Sequence, residues 1–210
     1  MFISSLRSKI VDVSLVLFEK YGFHGVTVNQ IIREAGTSKG GFYHHFTSKD
    51  ELLYVIHDTF ITYVIEKATK ARDIYKSPTK KLQAILTDFV KVFDLYKPHI
   101  TVFYQENIYL KPQYDQLIKK KRDKFKEIIK TVIVEGKQCG EFRATIDEDI
   151  TTMAILGIVN WTYKWYDPAG KKTIADIAHI YIDLILHAIL DVKTLLSPAY
   201  NTLLIQRDIL

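Results

Sequence analysis

Cysteine is nearly missing from this chain: Cys139 is the single one in 210 residues. One thiol excludes an internal disulfide framework, so a reducing, cytoplasmic setting is expected. Cys139 itself reads as an inert thiol near a helix end. Long apolar runs are also missing. No window reaches the ~18 uninterrupted apolar residues of a membrane span. The richest stretches are broken by Asn160 and Lys164, or by Asp176, His179, Asp183 and His187. Arg7, Lys9 and Asp12 interrupt the N-terminal apolar residues, unlike a secretory leader. No membrane partner is expected.

The usual signatures of catalysis are absent as well. There is no Gly-rich phosphate loop, no Gly-x-Ser-x-Gly elbow and no His/Cys/Glu set at metal-ligand spacing. His44 and His45 are adjacent, so on a helix their rings diverge. The expectation is therefore no enzyme, no metal and no cofactor. Paired hairpin turns and alternating strand patterns are missing too.

What is present is an ordinary globular composition, 48% hydrophobic and 25% charged, with a net charge of +5. That charge permits a polyanionic partner without demanding one. The hydrophobic period is helical nearly throughout. Ile3, Leu6, Ile10, Val13, Leu17 and Tyr21 recur at spacings of three and four, as do Ile174, Ile177, Tyr181, Leu184 and Ala188. A proline inside a helix costs ~3 kcal/mol or more, so the five prolines at 78, 98, 112, 168 and 198 mark element boundaries. The pattern predicts an all-α chain of about nine helices, near 3–21, 28–35, 39–45, 49–75, 79–96, 99–108, 112–138, 147–166 and 173–196. Helices two and three are too short to stand alone and must pack on their neighbours. The expected organisation is a three-helix head over 1–50, a larger helical bundle over 51–197 and a tail over 198–210.

The head carries the most informative segment, TVNQIIREAGTSKGGFYHHF at 27–46. Thr27 and Gln30 have capping-box spacing. Val28, Ile31, Ile32 and Ala35 give an apolar face, and Gly36 stands where a left-handed backbone ends a helix. Ser38 then caps a second short helix whose Phe42 and Phe46 share an inward face. Two short helices joined by a tight glycine-containing turn form a helix-turn-helix, whose second helix enters the DNA major groove. Left facing outward are Lys39, Gly40, Gly41, Tyr43, His44 and His45. Each glycine costs ~1 kcal/mol against alanine in a helix, which points to a close approach of backbone to ligand. Ser48 and Glu51 open the next helix. Lys49 in its first turn opposes the helix dipole unless an anion neutralises it, so it reads as half of a phosphate clamp. Short helix pairs also serve as plain packing elements, so the residues alone leave DNA binding open.

The segment resembles the DNA-binding domain of the TetR/AcrR family of bacterial regulators. The likeness runs from FEKYGFHGVT at 18–27 through Ile31, Ala35, Gly36, Ser38, Lys39, Gly40 and FYHHF at 42–46 to SKDEL at 48–52. It implies a double-stranded DNA operator as partner and DNA contacts from Thr27, Thr37, Ser38, Lys39, Gly41, Tyr43, His44 and Lys49, chiefly to phosphates. Gly41 stands where the family often has Thr or Ala, so a side-chain base contact is lost there. Ile32 replaces a small residue. The family also implies a homodimer and a small-molecule effector bound in the bundle, whose binding releases a repressor from a palindromic operator.

In the bundle, helix 147–166 carries Ile150, Met153, Ala154, Gly157, Ile158, Trp161 and Trp165 on one face and Ile155, Val159 and Thr162 on another. A helix apolar nearly all round is buried on both sides. A core on one side and a partner subunit on the other satisfies that; so does a wholly internal core. The resemblance favours a homodimer through 147–166 and 173–196. Aromatic residues crowd the middle helices, and Phe93, Phe103, Tyr104, Asn107, Trp161 and Trp165 are the candidate effector-pocket residues, although many such rings serve as plain core. A second likeness covers NWTYKWYDPAG at 160–170, Lys121, Arg122 and Asp123, and GEFR at 140–143. These are similar to TetR-family regulators of lipid, steroid and aromatic-acid catabolism, several of which respond to acyl-CoA thioesters. That implies an acyl-CoA or fatty-acid effector, with Arg122 foremost among the cations between Lys119 and Lys126. The alternatives are an enzyme and an effector-independent structural DNA binder.

Overall fold

A computed structural model describes residues 5–204, and every described element but one backbone bridge is helical. The helices are α1 (Leu6–Gly25), α2 (Val28–Ala35), α3 (Lys39–His45), α4 (Lys49–Ile74), α5 (Pro78–Leu95), α6 (Lys97–Glu106), α7 (Pro112–Gln138), α8 (Glu148–Asn160), α9 (Thr162–Trp165), α10 (Ile174–Ile189) and α11 (Val192–Leu195). Short 3-10 turns follow at Asn107–Tyr109 and Pro198–Leu203. The expected Ile3 lies outside the described residues.

Two compact units emerge, one of residues up to 62 with 96–121, the other of 63–95 with 122 onward. The three-helix head expected over 1–50 therefore sits in a unit that also takes the first half of α4, all of α6 and the start of α7. Its core gathers Ile10, Leu15, Phe18, Phe23, Ile31, Ala35, Phe42, Phe46, Leu53 and Val102. The short helices α2 and α3 thus gain from α1 and α6 the apolar cover they cannot supply themselves.

His99 on α6 belongs to this unit and is half-buried. Burial pushes its imidazole below the ordinary 6.5, against the smaller upward pull of Asp12. The folded state then binds a proton less readily than the unfolded chain. Its contribution to stability is complete above pH ~6.5 and declines as pH falls toward the depressed folded value. The melting temperature of the wild type is expected to drop between pH 7.5 and 5.5 more than that of His99→Gln. Parallel curves would assign the acid sensitivity elsewhere.

In the second unit α5 packs along α10. Leu82, Leu86, Phe89, Val90, Ile129, Val132, Ile177, Ile182 and Leu186 are buried there. Two helices expected as single pieces are interrupted. The 147–166 helix divides at Trp161, where the Lys164 N–H turns to the Trp161 carbonyl three residues back and tightens the turn. The 173–196 helix stops at Leu190, whose backbone is extended. There the Arg143 N–H donates to Ile189 O and the Asp191 N–H to Glu141 O, both at 2.9 Å, forming a small antiparallel clasp of 141–143 with 189–191. A bridge between segments 48 residues apart leaves no local pattern to read. Glu141 also accepts from the Ser77 hydroxyl (2.8 Å) and the Thr79 N–H (2.9 Å), capping α5. Gly136 is obligatory beside the clasp, since a Cβ there would stand 2.2 Å from the buried Phe142 ring. The segment expected as a tail from 198 begins as a 3-10 turn that places the Tyr200 hydroxyl 3.1 Å from Ser77 Oγ; its remainder lies outside the described residues.

Candidate DNA-binding interface

The head is held in shape by caps that the sequence announces. The Thr27 hydroxyl oxygen accepts from the Gln30 N–H at 3.2 Å, opening α2. Gly36 closes it at φ 60°, and the Thr37 N–H reaches back to Ile32 O at 3.1 Å. A left-handed residue there satisfies the last carbonyls and turns the chain within two residues. Ser38 Oγ accepts from the Gly41 N–H at 3.0 Å and opens α3. Ser48 Oγ accepts from the Glu51 N–H at 3.1 Å, while the Glu51 carboxylate accepts from the backbone and hydroxyl of Thr47, both at 2.6 Å.

These caps aim α3. Phe42 and Phe46 turn inward and are fully buried, with ring centroids 5.9 Å apart. Lys39, Gly40, Tyr43 and His44 face solvent; His45 is half-buried. Tyr43 lies edge-on to Phe42 at 5.3 Å, which fixes its ring while leaving its hydroxyl outward. Thr27 and Ser38 are exposed, and each uses its hydroxyl oxygen as a cap acceptor, so the O–H remains a donor for a phosphate. Gly41 has a reason beyond DNA: a Cβ there would stand 2.4 Å from Thr37 Oγ1 and 3.4 Å from Leu6. The half-buried Thr37 and the start of α1 occupy that space. Arg7, on the same first turn, holds its guanidinium 5.3 Å above the Phe46 ring, adding positive charge beside α3.

Lys49 is placed differently from an open phosphate clamp. Its ammonium donates to Phe23 O at 2.7 Å and Val26 O at 2.6 Å and sits 4.2 Å above the Phe23 ring. Burial pushes its pKa down, partly opposed by Asp50. The carbonyls at the end of α1 thus offset the dipole conflict read from sequence, and two of its three N–H groups are engaged.

The candidate effector residues separate. Within the first unit, Phe103 and Tyr104 meet edge-to-face at 5.1 Å, with Asn107 at the end of α6. Phe103 also packs at 4.8 Å on each of His57 and Phe60 from α4. His57, fully buried, went unnoticed in the sequence; its signal was a polar ring set among Leu53, Phe60, Ile61 and Val64 on the apolar face of α4. Nearby, Lys121 bonds Asp58 and, at 2.7 Å, Thr62, so it is withdrawn from the expected cationic run. Burial and then Asp58 push the Tyr54 phenol up. In the second unit Phe93 is buried against Phe89, and Arg122 is exposed on α7. Trp161 and Trp165 are 62% and 49% exposed in the single chain. Among the described residues no His/Cys/Asp/Glu cluster could hold a metal, and no helix is long and apolar enough to cross a membrane.

Capped short helices around buried phenylalanines, with lysine, tyrosine and histidine outward, define a helix-turn-helix DNA-binding protein. Residues 10–55 match the family model for bacterial regulatory proteins of the tetR family, and residues 75–189 match that for the tetracyclin repressor-like C-terminal domain. The chain belongs to the TetR family of DNA-binding transcriptional regulators. It is similar to the HTH-type transcriptional repressor KstR2 of Mycolicibacterium smegmatis, 23% identical over 188 residues, covering 89% of this chain and 91% of that protein. The structure of the ketosteroid transcriptional regulator KstR2 of Mycobacterium tuberculosis superposes with a TM-score of 0.80 at 22% identity, over 90% of this chain and 97% of that one. AibR in complex with isovaleryl coenzyme A and operator DNA gives a TM-score of 0.74 at 22% identity, over 86% and 97%. Relatives are named as repressors, not as enzymes.

Proposed function

We propose that this chain is a repressor that binds a palindromic operator as a homodimer and is released by a small apolar effector of the acyl-CoA or fatty-acid class. The observation that carries DNA recognition is the outward face of α3. Lys39, Tyr43 and His44 stand exposed on a helix fixed from behind by Phe42 and Phe46, with Thr27, Thr37, Ser38 and the bare backbone at Gly40 and Gly41 around them. Lysine supplies charge to phosphates or a base edge, and the hydroxyls and imidazole supply directed hydrogen bonds. Twofold symmetry would set two such helices ~34–36 Å apart, or a multiple of that spacing, matching a palindrome.

For the effector, the aromatic cluster of His57, Phe60, Phe103 and Tyr104 supports an apolar site on α4. His57 lies eight residues, about 12 Å, along the same helix from Lys49, which holds the end of α1. A ligand that moves α4 there shifts the population of head positions that fit DNA. AibR, of the same fold, holds isovaleryl coenzyme A.

The test has two arms. Lys39→Ala and Tyr43→Ala should each weaken operator binding without lowering the melting temperature. Lys39→Ala should also lower the slope of log affinity against log salt by about one per protomer. An unchanged affinity and slope would remove these residues from the interface. In a thermal-shift series, long-chain acyl-CoA or fatty acid should stabilise the protein and free CoA should not. No response to any of them would eliminate this effector class and leave DNA binding standing.

A further inference from the structure

One half-buried cation of the second unit is left over. Lys81, Lys130 and Lys137 each meet a carboxylate at 2.7 Å, Lys126 meets Asp123 at 3.6 Å, and Lys67 lies over the Tyr63 ring. Lys91 on α5 is half-buried too, yet makes no comparable contact among the described residues. It lines a cleft of about 280 Å³ between α5 and α10. Neighbouring carboxylates are turned elsewhere and do not line that cleft. Asp94 accepts from the Tyr166 hydroxyl at 2.9 Å, and Asp176 from the Thr173 N–H and hydroxyl at 2.9 and 2.8 Å.

The cleft has two unlike ends. On α5, Gln83, Thr87 and Lys91 form one stripe, with the Thr87 O–H spent on the Gln83 carbonyl at 2.9 Å. Facing them on α10 are His179 and the small Ala175 and Ala178, whose lack of bulk leaves the space open. Glu141 ties the start of α5 to the end of α10, through the Thr79 N–H and the Asp191 N–H, so the two helices run antiparallel. Lys91 therefore meets the early part of α10, with Ala175 and His179. Gln83 meets the later part, with Ile182. Tyr200, 3.1 Å from Ser77, brings the buried Leu203 to that same end. One end thus offers an ammonium and an imidazole; the other is apolar apart from the Gln83 amide.

We propose that this cleft binds a small organic acid: a free carboxylate with a short alkyl tail. The carboxylate takes a charge-assisted hydrogen bond from Lys91 and a second from the His179 ring, and the tail lies over Ala178 toward Ile182 and Leu203. A space of about 280 Å³ is at the small end of ligand pockets, which excludes a CoA thioester. The site goes beyond the effector proposed above, whose aromatic cluster belongs to the other unit.

The test is calorimetric titration of the full chain with hexanoate and with hexanamide, its uncharged isostere. Hexanoate should bind, and hexanamide at least ~10-fold more weakly, the worth of one hydrogen bond to a charged group. Lys91→Met keeps the apolar stem and should lose hexanoate affinity by a similar factor, binding the two probes alike. Ala175→Phe, at an exposed position, fills the cleft and should abolish binding of both at an unchanged melting temperature. In the wild type the His179 imidazole resonance, assigned by its loss in His179→Gln, should move as hexanoate is added. A wild type that binds no hexanoate overturns the site. So does binding that Lys91→Met and Ala175→Phe leave unchanged, or that leaves the His179 resonance still, since the acid then sits elsewhere. The effector proposal stands or falls separately: its long-chain thermal shift should be the same in Lys91→Met as in the wild type.

Discussion

Phe42→Ala is expected to cost about 3–5 kcal/mol and to abolish operator binding. Phe42 is fully buried, and the seven residues of α3 have no other comparable anchor besides Phe46, which lies just past the helix. Helices this short owe their existence to packing, so removing the ring leaves a cavity and also frees Tyr43, whose ring leans on it. At two to four degrees per kcal/mol for a protein of this size, the melting temperature should fall by roughly 6–20 °C. Phe42→Leu, which refills most of the space, should recover most of both properties. Wild-type operator affinity in Phe42→Ala would show that α3 is not positioned from its buried face.

Lys49→Met is expected to be the next most damaging. It keeps the apolar stem over Phe23 and removes two charge-assisted hydrogen bonds, leaving Phe23 O and Val26 O without that donor. Hydrogen bonds to charged groups contribute about 1.5–3 kcal/mol each, and partial solvent access around Lys49 reduces the pair to roughly the value of one. Because Val26 immediately precedes the cap Thr27, the loss should spread to the start of α2. The measurements are a thermal melt and the salt dependence of operator binding. A lower melting temperature with an unchanged salt slope identifies Lys49 as a positioning residue. A lower slope at unchanged stability identifies it as a phosphate contact.

The contrast between Lys49 and Ser38 shows what a sequence discloses. Ser38, Thr27 and Gly36 act within three or four residues of themselves, so their hydrogen bonds and the left-handed turn were legible from spacing. So were the bounds of α2 and α3. Lys49 finds its acceptors 23 and 26 residues away, and nothing in its own helix indicates them. The spacing around Gly41 did not show that Thr37 and Leu6 also fill the space a side chain there would need. His57 and Phe103 come together only when α4 and α6 pack. The break at Leu190 depends on a backbone partner near Phe142, and the helical period around Leu184 and Ala188 gave no hint of where it would end. The exposure of Trp161 and Trp165 was not legible either, because periodicity shows which residues share a stripe, not what that stripe meets.

The clasp of 141–143 with 189–191 bears on where this chain will accept foreign sequence. A peptide tag spliced between Gly140 and Asp147 would pull apart backbone bonds and the Glu141 cap on α5 at once, and misfolded, protease-sensitive product is the foreseeable result. Residues 167–172 form the opposite kind of turn: all are exposed, and their backbone bonds close within the turn itself. That turn is the natural port for an epitope, a fluorophore or a fused reporter domain in this regulator.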